Sequence, residues 1–86
     1  MPDAFIVTVT DSSGRFKTDL EIPSRLPFAS FKGKLLEIMK IMDNNVFYNW
    51  SDYRLRFKNR VLSGGDTLAS VGAFDGSRLI AERIQI

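Results

Sequence analysis

The sequence predicts an α+β domain in which a single helix packs on a mixed β-sheet. Two runs of alternating apolar and polar residues near the start are separated by a short polar turn, which predicts a hairpin. One amphipathic stripe with helical spacing follows, and further alternating runs fill the second half. The 86 residues suffice for one such domain, so we assign residues 1–86 to a single unit.

The hairpin is predicted to span residues 4–22. Its inner face is expected to consist of the alternating residues Phe5, Val7, Val9, Phe16, Thr18, Leu20 and Ile22. Gly14, in the polar turn between the strands, is free to adopt a positive φ. Pro23 is expected to end the second strand because it has no N–H to donate to the sheet.

The helix is predicted over Phe28–Met42, directly after Pro27, whose fixed φ suits a helix entry. Its buried stripe is expected to consist of Phe28, Phe31, Leu35, Ile38, Met39 and Met42. Gly33 lowers the intrinsic stability of such a helix by up to about 1 kcal/mol relative to alanine. We therefore expect this glycine to allow the close approach of another backbone. The polar residues 43–45 are expected to end the helix.

The second half is predicted to contain three strands. The first covers residues 53–58, and Asn59 is expected to turn the chain into a short strand at residues 60–62. One short helical turn at residues 67–68 precedes the final strand, residues 78–85. The inward residues are expected to be Tyr53, Leu55, Phe57, Leu79 and Ala81. The order ββ, helix, ββ, short helical turn, β is the β-grasp arrangement. We expect the contact between helix and sheet to be formed by Leu20, Ile22, Phe31, Leu35, Leu55, Leu68 and Leu79.

The composition argues against several kinds of chemistry. The chain has no cysteine and no histidine, and so lacks thiolate ligands, imidazole ligands and the usual general base. We therefore expect no enzymatic activity, no cofactor, no metal site and no small-molecule substrate. No apolar run approaches the ~20 residues of a membrane span, and the first residues do not resemble a signal peptide. We expect a cytoplasmic protein without membrane insertion.

The second half resembles ubiquitin at a set of spaced residues. They are Arg54, Leu55, Phe57, Leu62, Gly65, Thr67, Leu68, Ser77 and Leu79. This resemblance implies a ubiquitin-like β-grasp fold. Ubiquitin-type modifiers need two C-terminal glycines for activation, whereas this sequence ends in Arg83-Ile84-Gln85-Ile86. We therefore expect no conjugation through the C-terminus, which disfavours the alternative of a ubiquitin-like modifier or sulfur carrier.

The first half has a narrower resemblance. The segment Asp19-Leu20-Glu21-Ile22-Pro23, then Leu26-Pro27 and the apolar helix, is similar to the bacterial ubiquitin-like proteins of the YukD/EsaB family. That family is small and cytoplasmic, and it is encoded with type VII secretion systems, which export small helical substrates carrying a Trp-X-Gly motif. The resemblance implies a non-enzymatic accessory or regulatory protein that binds a component of the secretion machinery.

One surface is the candidate for that binding. Its residues are predicted to be Arg54, Arg56, Lys58, Arg60, Ile80 and Trp50. The resemblance places Arg56 at the central isoleucine of ubiquitin's recognition patch, where receptors of ubiquitin would have to bury a guanidinium. Of the aromatic residues between 47 and 53, we expect most to close the open end of the core, with Trp50 as the exposed exception.

Two alternatives to this surface remain open. The basic residues can form a solvated strand face that is paired locally with Glu82 and Asp52. They can also bind nucleic acid, but the formal net charge of +2 is small and no aromatic platform is interleaved with them. The sequence therefore favours an acidic protein surface as the partner.

Overall fold

The computed structural model describes residues 3–84, which form a five-stranded mixed sheet with one long helix against one face. The strands are β1 (Ala4–Asp11), β2 (Lys17–Pro23), β3 (Tyr53–Phe57), β4 (Arg60–Val61) and β5 (Arg78–Arg83), and the helices are α1 (Phe28–Met42) and α2 (Asn44–Phe47). The predicted bounds of α1 are confirmed. Gln85 and Ile86, on which the expectation about conjugation rests, lie outside the described residues.

The sheet has the strand order β2-β1-β5-β3-β4. β1 and β2 form the predicted antiparallel hairpin, and Gly14 in its turn has a φ of 78°. The last strand, β5, lies in the centre, parallel to β1 and antiparallel to β3. The register opposes Val9 to Leu79 on one side of β5 and Leu55 to Ala81 on the other.

The core lies between α1 and the inner face of the sheet. The side chains of Val7, Val9, Leu55, Leu79 and Ala81 are fully enclosed. The helix contributes Phe28, Phe31, Leu35 and Met39 of the predicted stripe. Ile38 is only half-buried, and the expectation for Met42 was wrong, because this last residue of the helix is 50% exposed. The predicted contact between helix and sheet is confirmed, although Leu20 is only half-buried because β2 is an edge strand.

A second, short helix follows α1 and was not predicted. α1 ends at Met42, as expected, but Asp43 then acts as the N-cap of α2: its Oδ1 accepts a hydrogen bond of 3.3 Å from the Val46 N–H. The cap turns the chain so that Phe47 enters the core, where its ring meets the edge of the Phe16 ring. Polar residues that were expected only to stop one helix therefore also start another.

One predicted turn differs in detail, and another is confirmed. Between β3 and β4 the positive φ of 54° is adopted by Lys58, not by Asn59. The helical turn predicted at residues 67–68 is a single turn, in which the Val71 N–H donates to the Thr67 carbonyl at 3.2 Å. The Ser70 hydroxyl accepts a hydrogen bond from the Thr67 N–H, and the Thr67 hydroxyl accepts one from the Ser70 N–H. These two bonds fix the turn.

The close backbone approach occurs at Gly64 and not at Gly33. A Cβ at Gly33 would meet no atom within 4 Å, so the expectation for this residue was wrong, and nothing in the structure explains a glycine there. A Cβ at Gly64 would lie 3.4 Å from the Ala29 Cβ. The Gly64 carbonyl accepts the Ala29 N–H at 3.0 Å, and the Asp66 carbonyl accepts the Phe28 N–H at 2.8 Å. The 63–66 loop thus satisfies amide groups at the start of α1, which has no side-chain cap.

Truncation of Leu55 should test the core directly. Leu55→Ala should lower the free energy of unfolding by about 2–5 kcal/mol, because the side chain is fully enclosed between sheet and helix. Ile41→Ala is the matched control, since this aliphatic side chain is 84% exposed, and it should change stability by no more than about 0.5 kcal/mol. Urea denaturation of both variants measures the difference. Equal midpoints would show that the assigned register of β3 is wrong.

Candidate protein-binding surface

The face of the sheet opposite α1 carries the outward residues of β3 and β5. Successive side chains of a strand point to opposite faces, so Arg54 and Arg56 point away from the core that Leu55 joins. Ile80 and Glu82 do the same on β5. The register sets Arg54 opposite Glu82 and Arg56 opposite Ile80. The structure therefore brings three of the predicted binding residues, Arg54, Arg56 and Ile80, onto one patch.

Glu82 is shared between the two arginines of this patch. Its Oε1 accepts a hydrogen bond from Arg54 Nε at 3.1 Å, and its Oε2 forms an ion pair with Arg56 Nη2 at 3.1 Å. The Glu82 side chain is only 17% exposed. Arg56 Nε is enclosed and has no acceptor among the described residues. The expected pairing with Glu82 is therefore confirmed for both arginines. Because two guanidinium groups share one carboxylate, the patch keeps one net positive charge.

Asp52, the other expected partner of the basic strand, pairs elsewhere. Its carboxylate lies 2.7 Å from the Lys32 ammonium of α1 and accepts the Tyr53 N–H at 2.9 Å. The hydrogen bond from Lys32, followed by the one from the Tyr53 amide, lowers the pKa of Asp52. Burial raises the pKa of Tyr53, whose hydroxyl donates to the Lys32 carbonyl at 2.7 Å. This cluster joins β3 to α1 on the side of the sheet away from the patch.

Lys58 and Arg60 lie beyond the arginine patch. Arg60 Nη2 donates to both oxygens of Asp66, at 3.0 and 3.2 Å, and is thereby held against the 63–66 loop. The Ser63 amide, followed by Arg60, lowers the pKa of Asp66. Lys58 Nζ lies 5.3 Å from the centroid of the Phe57 ring. The four predicted cations therefore form one pair at the centre and two separate positions near the β3–β4 turn.

The structure places Trp50 in the core. Its side chain is 7% exposed, and the Phe47 ring meets it edge-on with the centroids 4.6 Å apart. Tyr53 lies on its other side, at 6.3 Å. The expectation that Trp50 is the exposed exception was wrong, because α2 turns this segment inward. Within residues 47–53, the exposed aromatic residue is Tyr48, at 66%.

Phe74 is an exposed residue that the sequence reasoning missed. It lies in the loop before β5, is 59% exposed, and stands beside Ile80 in a shallow depression. A phenylalanine inside a loop of glycine, aspartate and serine, outside any alternating run, is the feature that could have identified it.

The β1–β2 turn borders the same face and is organised by a buried carboxylate. Asp11 Oδ1 accepts the Phe16 N–H at 2.8 Å, and its Oδ2 accepts the N–H and the hydroxyl of Ser13. Burial raises the pKa of Asp11, but the hydrogen bonds from Ser13 and Phe16 outweigh it, and the net effect is a lowered pKa. The folded turn therefore favours the ionised carboxylate.

Within residues 3–84, no group of three or more candidate ligand side chains is placed to hold a metal ion. In the same part of the chain, no helix has both the length and the apolar character of a membrane span.

No protein-family model and no curated protein sequence matches this chain. Solved structures do. The ubiquitin of Caldiarchaeum subterraneum matches with a TM-score of 0.70 at 20% identity, over 96% of both chains. The ubiquitin-like domain of the Mycobacterium tuberculosis type VII secretion system protein ECCD1 matches with a TM-score of 0.74 at 20% identity, over 95% of this chain and 99% of that one. A chain of the MycP5-free ESX-5 inner membrane complex matches with a TM-score of 0.80 at 17% identity; the match covers 99% of this chain and 22% of that one. The chain has the ubiquitin-like β-grasp fold.

Replacement of Asp11 should produce a pH-dependent loss of stability. The carboxylate has a lower pKa in the folded than in the unfolded chain, so its contribution is present above about pH 4 and is lost as the pH falls through the folded pKa. Asp11→Asn should cost about 1–2 kcal/mol at neutral pH, because one acceptor of a buried hydrogen-bond set disappears. The difference in urea midpoint between variant and parent should be largest at pH 7 and should narrow as the pH falls from about 4 toward 3. A difference that is constant across this range would contradict the assigned role.

Proposed function

We propose that this protein is a bacterial ubiquitin-like accessory or regulatory factor of a type VII secretion system, related to the YukD/EsaB family. It acts in the cytoplasm, without catalysis, by binding a protein component of the secretion machinery. The fold supports this proposal, since ubiquitin-like domains with the same architecture occur in ECCD1 and in the ESX-5 inner membrane complex. The resemblance of residues 19–42 to the YukD/EsaB family points to the same pathway.

The observation that carries the proposed mode of action is the arginine patch. Arg54 and Arg56 are fixed by one shared carboxylate on a strand face that no other part of the described chain covers, with Ile80 opposite Arg56. A charged rim around an aliphatic side chain suits recognition of an acidic protein surface, because rim charges raise the encounter rate and apolar contacts supply affinity. The patch differs from a ubiquitin-type recognition surface because Arg56 would have to be desolvated.

The alternative functions find less support. Binding to nucleic acid is disfavoured because Glu82 and Asp66 pair with Arg54, Arg56 and Arg60 and offset two of these three positive charges. A role as a conjugated modifier or sulfur carrier would depend on the last residues of the sequence, which lie outside the described part of the chain.

Neutralising the arginine patch should weaken capture of the secretion machinery. Arg54→Gln/Arg56→Gln is preferable to a charge reversal, because two glutamates beside Glu82 would add like-charge repulsion across the strands. We expect roughly a tenfold loss in recovery of the type VII membrane components with tagged protein from its native cells, together with a flatter dependence on salt. Stability should fall by about 1–3 kcal/mol, because Glu82, only 17% exposed, loses both cations, so capture is compared at a temperature at which parent and variant are both folded.

Arg25→Gln/Lys34→Gln is the matched control for this experiment. It removes the same number of positive charges from exposed positions on the far side of the domain, near the start of α1 and on its outer face. Capture should be unchanged. If the control and the patch variant recover equal amounts of the same secretion components, the arginine patch is not the binding surface; if the parent protein recovers none, the proposed pathway is wrong.

A further inference from the structure

The loop that carries Phe74 is held rigidly although its most prominent side chain is exposed. The Phe74 N–H donates to the Ser77 hydroxyl at 2.9 Å, and the Ser77 N–H donates back to the Phe74 carbonyl at 3.0 Å. The loop is also tied to β1: the Gly76 N–H bonds the Ile6 carbonyl at 2.8 Å, and the Ile6 N–H bonds the Asp75 carboxylate at 2.9 Å. The backbone that carries the ring is therefore fixed before any partner arrives, which lowers the backbone entropy lost on binding.

Phe74 forms one wall of a shallow apolar depression. Ile80 of β5 and Phe57 at the end of β3 are its other apolar lining residues, and Ser77 lines it as well. Two cations stand at its rim, Lys58 and Arg78. Neither of them has an acidic partner among the described residues. The depression thus offers an apolar surface with two positive charges beside it that have no acidic partner among the described residues.

A second, polar depression adjoins the first and shares Arg78 and Ile80 with it. Its walls include Lys17, Arg56 and the β1–β2 turn. Asp11 of that turn keeps its negative charge, and its oxygens accept hydrogen bonds from Ser13 and Phe16, so the three cations Lys17, Arg56 and Arg78 outnumber it in this depression. Lys17 adds a third cation without an acidic partner in residues 3–84. The two depressions together place positive charge on both sides of an apolar seat.

We propose that this double depression binds an acidic peptide segment of the partner protein, with one large apolar side chain seated against Phe74 and Ile80 and carboxylates beside Lys58, Arg78 and Lys17. This inference rests on the proposed function and specifies the site and the chemistry of the bound segment. Charge complementarity selects an acidic segment, and the apolar walls require a hydrophobic side chain within it. A nucleic acid fits less well, because one exposed ring opposite an aliphatic wall stacks a single base at most.

The test uses purified protein and synthetic peptides of about ten residues. The probe peptide carries one central phenylalanine among aspartates and glutamates. One comparison peptide has serine at the centre, and a second keeps the phenylalanine but has amides in place of the acids. Two-dimensional NMR titration measures both the affinity and the location of binding. We expect the probe to shift the amides of Phe74, Ser77, Arg78 and Ile80, and to bind at least about tenfold more tightly than either comparison peptide. Added salt should weaken its binding.

Variants of the protein separate the two parts of the site. Phe74→Ser and Arg78→Gln should each reduce affinity for the probe about tenfold and leave the unfolding midpoint unchanged, since both side chains are exposed. Lys34→Gln, which removes an exposed cation from α1, should bind like the parent protein. If Phe74→Ser altered the fold, Arg78→Gln alone would decide the outcome.

Several results would overturn the inference. The first is equal binding of the three peptides, and the second is a set of shifts centred on the apolar groove that Leu20, Phe31 and Leu35 line between β2 and α1. The third is tighter binding of an oligothymidylate than of the probe, and the fourth is self-association that Phe74→Ser abolishes. The outcome is separable from that of the proposed function. If Phe74→Ser still captures the secretion components fully, this site is wrong and the pathway stands. If the probe binds as expected but no secretion component is captured, the pathway is wrong and the site stands.

Discussion

The structure depends on the insertion of the last strand between the first and the third. β5 pairs with β1 on one side and with β3 on the other, and its Leu79 and Ala81 are fully enclosed against the core. The centre of the sheet therefore forms only when the final segment has reached the first, a pairing of high sequence separation. Because side chains alternate along a strand, the outward residues Arg78, Ile80 and Glu82 then occupy the middle of the exposed face. One strand completes the core and presents the candidate surface.

The charges on that face are arranged by a few carboxylates. Glu82 holds the two central arginines, and Asp66 holds the arginine of β4, so these cations are oriented and partly neutralised. Lys58 and Arg78 have no acidic partner within residues 3–84, and they flank the exposed ring of Phe74. Uncompensated charge and accessible apolar area thus coincide at one end of the sheet. An apolar anchor inside a charged rim is the arrangement from which interfaces obtain both affinity and specificity.

The sequence predicted those features that depend on periodicity. The alternating runs correctly assigned the inner faces of β1, β2, β3 and β5, and the helical stripe gave the bounds of α1. Features set by contacts distant in sequence were not predictable in this way. The 63–66 loop meets the start of α1 through backbone hydrogen bonds, Trp50 is buried because Asp43 starts a second helix, and Phe74 stands on a loop that hydrogen bonds to β1 fix. The cations of the candidate site were visible in the sequence, but their distribution between paired and unpaired positions was not.

Native-state hydrogen exchange tests the central position of β5 most directly. If β5 closes the sheet, its backbone amides should exchange only through global unfolding, with the same free energy of opening as the amides of β1. The edge strands β2 and β4 should open at lower free energy. Exchange of the β5 amides by local opening, while the β1–β2 hairpin remained protected, would contradict the account, because the core and the outer surface would then not depend on the same strand.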